Sequence, residues 1–379
     1  MLVLGLIVVV AVGVGIGGGS LLARAAGSGP SASPTDVAVV PTISPSTVPT
    51  PSPTPTPEPT PALVPAPLTG LLVPESSVLQ HPIAAMIDDH PDARPQSGFN
   101  AADVVWQAPA EGGIPRYMMV FQSHLPASLG PIRSARQYFI EWAAELHAMY
   151  VHLGGSGQAQ ATLAAKGHGQ LVFNADGLRF DGSDMYRVKT RFAPHNVYTD
   201  DRHLLAMARA VGVTNGPVSP IWSFAPPVPG ESRPVGTTIT VNYPTETITY
   251  HYDPVSNTYP RFIGRSKTQQ VDAGDGMPVA PTNVVILRMR FGPLNDGHPE
   301  KHRLEAADVG TGQAIISTNG RIVVGTWKKA AVDAPTLLFG PDGKPFSLTP
   351  GQTFVQVLAL SYTYSVTPGT VPGFRIHEQ

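Results

Sequence analysis

The stretch of this sequence with the most capacity for chemistry is a polar turn that follows the apolar run 83–87. It holds three carboxylates, an imidazole and a guanidinium, on Asp88, Asp89, His90, Asp92 and Arg94. Polar groups at the end of a strand are where α/β folds usually carry functional residues. Asp88, Asp89, His90 and Asp92 are therefore candidate ligands of a hard cation. Their spacing matches no known metal loop, and prolines beside such residues also favour a plain turn.

A second group of candidates is rich in arginine. In Gly130-Pro-Ile-Arg-Ser-Ala-Arg136, Ser134 is a candidate cap for a predicted helix, and Arg133 and Arg136 lie in or beside its first turn. A helix N-terminus is already electropositive, so arginines there are unfavourable unless an anion or a buried acid is close. The segment predicts anion binding, with a structural salt bridge to Glu111 or Asp103 as the alternative.

Glu111 and Arg116 lie on either side of a flexible glycine pair, immediately before an apolar run. Glycines let backbone approach a ligand closely, and the guanidinium fork of Arg116 matches a carboxylate or a phosphate. The same two side chains can also pair with each other across a turn. Both are retained as candidate ligand-binding residues.

Two histidines complete the candidate site. His152 runs into a glycine-rich turn, and His195 with Asn196 follows Ala-Pro. A histidine beside such a turn can act as a general base or a ligand, with Ser156 as a conceivable nucleophile. Gly-Gly-Ser-Gly-Gln is not the strained elbow of hydrolases, and most histidines on strands are structural. The pattern favours binding over catalysis and identifies no catalytic residue.

Composition limits the possible partners. The 379 residues are 42% hydrophobic and 14% charged with a formal net charge of −2, so no basic field favours nucleic acid. The chain has no cysteine, which excludes disulfides, thiolate zinc sites and a lipid-modified cysteine. No phosphate-binding loop or dinucleotide fingerprint is present, so no cofactor is expected.

The N-terminal part of the chain predicts attachment to a membrane. Residues 1–25 read as a signal anchor or a cleaved signal peptide, because residues 2–22 are uncharged, apolar and long enough to span a bilayer. Residues 26–66 form a disordered linker rich in Pro, Ser and Thr, expected to be extended polyproline II. We therefore expect a single-pass cell-membrane protein with its folded module on the extracytoplasmic side.

The folded part is predicted to have two halves. Residues 67–222 alternate strand-like runs with amphipathic helical ones at 134–147 and 200–211, the second with Thr199 as candidate cap, and read as an α/β layered sandwich. Residues 232–362 are rich in Thr, Val, Ile, Tyr and turn residues and read as mostly β, before a tail at 363–379. Strands are predicted near 83–87, 104–106, 117–121, 149–153, 237–243, 246–252, 283–288, 321–327 and 353–358.

The second half offers fewer functional candidates. His298, Glu300, His302 and Arg303 sit together, but their polar setting predicts a solvated loop. Four aromatic residues suit either a sugar-binding face or a β core, and the core is the commoner role: Tyr250, Tyr252, Tyr259 and Trp327.

Several motifs resemble the YerB-like family of bacterial lipoproteins. They include Met86-Ile-Asp-Asp-His-Pro-Asp-Ala-Arg-Pro-Gln-Ser-Gly98, Ala108-Pro-Ala-Glu-Gly-Gly-Ile-Pro-Arg116, Gly130-Pro-Ile-Arg-Ser-Ala-Arg136, Ala193-Pro-His-Asn-Val-Tyr198 and Gly351-Gln-Thr-Phe-Val-Gln-Val357. The resemblance covers nearly all of 67–358. It implies an extracytoplasmic location and an α/β layered sandwich with a β-rich second domain, but no established activity. This chain departs from the pattern in lacking the lipid-acceptor cysteine and in having Gln269-Gln-Val-Asp272 where relatives often have His before the Asp.

Three functions agree with these patterns. The first is an envelope protein that binds an anionic or carbohydrate-containing cell-wall component without catalysis. The second is an envelope hydrolase or transferase that uses His152, His195 or the acidic residues near Asp88. The third is a scaffold whose β-rich half docks another envelope protein.

Overall fold

The computed structural model describes residues 62–264 and 268–372. The predicted signal segment and the linker up to residue 61 lie outside these residues. Within them, no helix is long and apolar enough to span a bilayer. The described chain is mostly β, and its five α-helices are short and all lie before residue 211. They are α1 Glu75–Val78, α2 Gln137–Ala144, α3 Gly157–Lys166, α4 Gly177–Phe180 and α5 Asp201–Ala210.

Twenty-two strands form in the described residues. Those of the first half are β1 Leu63–Pro65, β2 Leu72–Pro74, β3 Ile83–Asp88, β4 Val104–Pro109, β5 Pro115–Phe121, β6 Met149–His152, β7 Phe173–Asp176, β8 Tyr186–Arg187 and β9 Val197–Tyr198. Those of the second half are β10 Ser223–Phe224, β11 Thr238–Asn242, β12 Thr247–His251, β13 Arg261–Ile263, β14 Asn283–Met289, β15 Phe291–Pro293, β16 Leu304–Ala306, β17 Gly310–Thr318, β18 Arg321–Lys329, β19 Leu337–Phe339, β20 Ser347–Leu348, β21 Thr353–Ala359 and β22 Thr363–Thr367. Single turns of 3₁₀ helix occur at Pro91–Ala93, Glu111–Gly113, Gly230–Ser232 and Pro299–Lys301.

One ten-stranded sheet passes through both halves of the chain. Its strand order is β19-β18-β17-β14-β21-β4-β5-β3-β6-β7, so each half contributes five neighbouring strands. The halves join where β21 pairs in parallel with β4, with Val355 opposite Trp106. A second sheet has the order β13-β12-β11-β22. The shared sheet means that loops from either half can reach the same edge.

Alternate residues of the large sheet bury two separate cores because side chains along a strand point to opposite faces. On one face, Met86, Trp106 and Met118 pack with Trp142 of α2 and Leu163 of α3. On the opposite face of the sheet, the side chains that alternate with these along the strands pack under α5 and the four-stranded sheet. The central strands are buried on both faces, and they therefore read as continuous apolar runs.

The strands predicted in both halves are present to within about three residues, but the helix starts differ from prediction. α2 begins at Gln137, with Arg136 as N-cap and no capping side chain, so Ser134 is not the cap. Ser134 instead belongs to an extended segment that crosses the end of the sheet. α5 is capped by Asp200, which accepts a hydrogen bond from the backbone N–H of His203 at 3.1 Å, and not by Thr199.

Two features of the second half are decided by packing. Tyr250, Tyr252, Tyr259 and Trp327 are all buried in the cores, as the commoner of their two predicted roles requires. Residues 363–367 of the predicted tail form β22, which pairs antiparallel with β11. Tyr364 and Val366 lie against the core beneath that sheet.

Candidate functional site

An extended segment, Gly130 to Arg136, crosses the carboxyl ends of β3 and β6. The backbone N–H of Asp88 donates to the carbonyl of Pro131 at 3.0 Å, and the N–H of Arg133 donates to Met86 at 2.8 Å. On its other side, the carbonyl of Arg133 accepts from the N–H of Leu153 at 3.0 Å. These bonds fix Arg133 between the ends of two parallel strands.

Asp88 is the acidic centre of this edge. It is only 3% exposed, and its Oδ2 lies 3.0 Å from Nε of Arg133 and 2.6 Å from Nδ1 of His195. On the neighbouring strand β5, Arg116 is directly opposite Asp88 in the ladder. Three elements far apart in sequence therefore converge on one carboxylate.

Beside Asp88 lies a cleft of about 310 Å³. It is lined by Asp88, His90, Glu111, Ile114, Arg116, Arg133, Ser134, Arg136, Lys301 and Arg303. Five of these side chains are cationic and two are carboxylates, and one of the five, Arg303, also pairs with Asp296 outside the lining, which leaves an excess of two positive charges. The cleft thus brings together six of the candidates from the sequence: Asp88, His90, Glu111, Arg116, Arg133 and Arg136.

The arginines of the cleft are only partly neutralised within the protein. Glu111 pairs with Arg136, and its other oxygen lies 3.5 Å from Arg116, so both the predicted turn pair and the predicted salt bridge form. One nitrogen, Nε, of Arg116, Arg136 and Arg303 is nevertheless buried without a hydrogen-bond partner. Burial lowers the pKa of Arg116, Arg133 and Arg136 from the ordinary value, although nearby groups raise it. Buried donors and uncompensated charge are what an anionic ligand would satisfy.

Behind the cleft, Asp89 belongs to a separate buried network. Its carboxylate accepts hydrogen bonds from Arg94 at 2.8 Å and from Gln107 at 2.6 Å. Glu246, from the turn between β11 and β12, also pairs with Arg94 and accepts from Gln107 at 2.9 Å. Burial, together with the charge of Glu246, raises the pKa of Asp89 well above its usual range. The network ties the second sheet to the large sheet, and Asp89 and Arg94 do not line the cleft.

The remaining candidates, His152, Asn196 and Ser156, do not line the cleft. His152 is fully buried, with Nδ1 2.8 Å from the carbonyl of Gly154 and Nε2 2.7 Å from Oδ1 of Asn174, and it does not line the cleft. Asn196 accepts a hydrogen bond of 3.2 Å at its Oδ1 from Nη1 of Arg187. Ser156 caps α3.

Of the four candidate metal ligands, the structure keeps two together and adds a third from elsewhere. Asp88 and Asp89 are occupied by the ion pairs described above. His90 and Asp92 instead lie with His195 so that one potential ligand atom of each is within 4.8 Å of the others. The imidazole rings of His90 and His195 are stacked with centroids 4.7 Å apart.

The second half contributes more to the cleft than its local sequence pattern predicts. Arg303 was expected in a solvated loop, but only 18% of its side chain is exposed, and it donates to Asp296 at 2.6 Å. The hairpin β15–β16 packs on α2, with Phe291 against Tyr138, and this brings Lys301 and Arg303 to the cleft. The mixed charge of residues 296–303 was a signal, but no local pattern indicated where that loop would dock.

Comparisons with known proteins agree along most of the chain. Residues 68–214 match the N-terminal domain, and residues 239–355 the C-terminal domain, of a family described as protein of unknown function DUF3048. The chain is 30% identical over 308 residues to a protein of Bacillus subtilis named "Putative lipoprotein YerB", covering 80% of this chain and 89% of that protein. The crystal structure of YerB from the same organism matches with a TM-score of 0.70 at 27% identity, covering 79% of this chain and 99% of the other.

Proposed function

Because this chain belongs to the DUF3048 family and is similar to YerB of B. subtilis, we propose that it is a membrane-anchored envelope protein that binds an anionic cell-wall component. The folded module then lies on the extracytoplasmic side, held through residues 2–22. The lipoprotein named among its relatives and the apolar segment of this chain support that location. Binding uses the cleft at the end of β3, and the protein acts without catalysis.

The observation that carries the binding proposal is the excess of positive charge in the cleft. Five cationic side chains face two carboxylates, and buried guanidinium nitrogens lack partners. Arginine keeps its charge at any physiological pH, so this excess is permanent. A wall polymer that carries phosphate or carboxylate groups would supply the missing acceptors in bidentate geometry.

The test compares two double variants of the full chain that lose the same charge. Arg133→Ala/Arg136→Ala removes cleft arginines, whereas Arg290→Ala/Arg321→Ala removes two exposed arginines elsewhere. Each protein is co-sedimented with isolated cell walls, with and without inorganic phosphate as competitor. Wild type and the control should pellet with the walls, the cleft variant should stay in solution, and phosphate should release what is bound.

Folding is monitored by Tm for every variant, because Arg136 is buried and its loss could perturb the fold. Lys301→Glu, at an exposed position on the cleft, provides a second variant that leaves the core untouched. Equal pelleting of wild type and Lys301→Glu at low salt, or no pelleting of the wild type, would overturn the proposal.

A further inference from the structure

His90, Asp92 and His195 belong to two loops that one arginine holds together. Arg191, in the loop that carries His195, donates from Nη1 to the carbonyls of Asp92 at 3.0 Å and Arg94 at 3.1 Å. Its Nη2 donates to the carbonyl of Pro95 at 2.6 Å. The two loops are therefore held in a fixed relation, which is what a preorganised ligand set needs.

The hydrogen bonds of the three side chains are compatible with each offering one atom as a metal ligand. Asp88 accepts from Nδ1 of His195 at 2.6 Å, so the lone pair of that ring is on Nε2. A carboxylate behind a histidine in this way orients the ring in metal sites. Nδ1 of His90 lies 3.5 Å from Oδ2 of Asp92, close to the separation of about 3.3 Å between adjacent ligands around tetrahedral zinc.

Metal binding at these atoms requires a local rearrangement of the loop that carries His90. Nδ1 of His90 accepts a hydrogen bond of 3.2 Å from the backbone N–H of Asp92, which an ion would replace. The ligand atoms lie within 4.8 Å of one another and must approach to about 3.3 Å around an ion. The ring of His90 must also turn out of its stack with His195, so that both lone pairs point at the same ion. With 36% of His90 and 74% of Asp92 exposed, both side chains have room to move.

We propose that His90, Asp92 and His195 bind a divalent transition ion such as Zn²⁺ at the rim of the cleft. Two imidazoles and one carboxylate suit zinc and other divalent transition ions, whereas magnesium and calcium prefer oxygen ligands alone. Arg133 and Arg191 place positive charge nearby, and Asp88 with Asp92 offsets it. Three protein ligands leave a fourth position open to water or to an anion. The zinc proposal does not rest on the proposed wall binding, and the two sites share His90 and Asp88.

The experiment measures the binding of Zn²⁺ with no other ligand present. The full chain is stripped with EDTA, titrated with ZnCl₂ by calorimetry without phosphate, and analysed for bound metal after dialysis. One zinc ion per chain is expected. Asp92→Asn, at an exposed position, and His195→Gln should each weaken binding at least tenfold, and Asp88→Asn should weaken it about 10- to 100-fold through the ring of His195.

A matched control is present in the same chain. His298 and Glu300 form an exposed pair with Nδ1 and Oε1 3.3 Å apart, so His298→Ala/Glu300→Gln tests binding to any surface histidine. This control should keep wild-type affinity. Absence of stoichiometric zinc, or equal affinity in wild type and Asp92→Asn, would refute the site. Failure of wall binding with zinc binding intact would refute only the proposed function.

Discussion

Asp88 on β3 lies directly opposite Arg116 on β5, while its Oδ2 also contacts Arg133 and His195. One buried carboxylate thus partly neutralises Arg116 and Arg133 and also holds the ring of His195. Its presence stabilises the cleft, and it also opposes the binding of an anion. Stability and affinity are therefore expected to respond in opposite directions when it is changed.

Replacing Asp88 with Asn tests this opposition directly. Removing one partner of a buried ion pair typically costs about 3–5 kcal/mol, so the free energy of unfolding in urea should fall by that order. Phosphate should bind the variant several-fold more tightly, because the cleft loses a negative charge. Asp342→Asn, at an exposed position, should change neither quantity. Weaker phosphate binding by a folded Asp88→Asn would contradict the anion site.

Lys301 provides a test without a folding penalty, because it is exposed and contributes only charge to the cleft. Lys301→Ala should weaken phosphate binding by about 1 kcal/mol, or roughly fivefold, at low salt. The difference should shrink as ionic strength rises, because exposed charges are screened. Calorimetry at two salt concentrations measures it, with Lys344→Ala, which is 82% exposed, as control. An effect that does not depend on salt would argue against an electrostatic role.

Gly130 permits the close approach of the arginine segment. It has a φ of +155°, and an added Cβ would lie 2.7 Å from the ring of Tyr198 and 2.8 Å from the carbonyl oxygen of Val197. Gly130→Ala should lower the free energy of unfolding by about 1–3 kcal/mol and weaken phosphate binding. Gly157→Ala, in the first turn of α3 where an added Cβ meets nothing within 4 Å, should instead stabilise by about 0.4–1 kcal/mol. Chemical denaturation of both variants measures whether the free energy of unfolding falls in Gly130→Ala and rises in Gly157→Ala.

Glu145 and Lys329 form a fully buried ion pair, with Nζ 2.9 Å from Oε1. Lys329→Met leaves the carboxylate without its counter-charge and should destabilise by about 3–5 kcal/mol. Glu145→Leu/Lys329→Met removes both charges and should be more stable than the single variant, as urea denaturation can show. A double variant less stable than Lys329→Met would mean that the other partners of Glu145, the N–H and hydroxyl of Thr336, dominate.

Asp308 predicts a pH dependence of stability. Burial, with Glu141 beside it, raises its pKa to about 8. The folded protein therefore binds this proton more tightly than the unfolded chain, so the stabilisation is complete below about pH 4 and is lost as pH rises towards 8. The loss is at most about 1.4 kcal/mol per pH unit. Asp308→Asn should flatten the curve of urea midpoint against pH over this range. An unchanged curve would contradict the assignment.

Part of this fold can be read from the sequence because its signals are local. Apolar runs bounded by turn residues predict the strands, and the β-rich second half is present as expected. Motifs such as 130–136 carry the family likeness and the arginines of the cleft. Helix starts were less well predicted, because an extended segment on the sheet edge replaces the first turn expected at Ser134.

Local patterns along the chain are enough to identify the apolar segment, the proline-rich stretch, the strands and the chemical types gathered around Asp88. Which of these residues meet depends on the tertiary structure. Pairing of β21 with β4 joins the two halves, so that Glu246 reaches Arg94 and Arg303 reaches the cleft. Within the first half, packing separates His152 from the cleft and places His195 beside His90. Such meetings depend on strand order and on packing between distant segments, which no local spacing encodes.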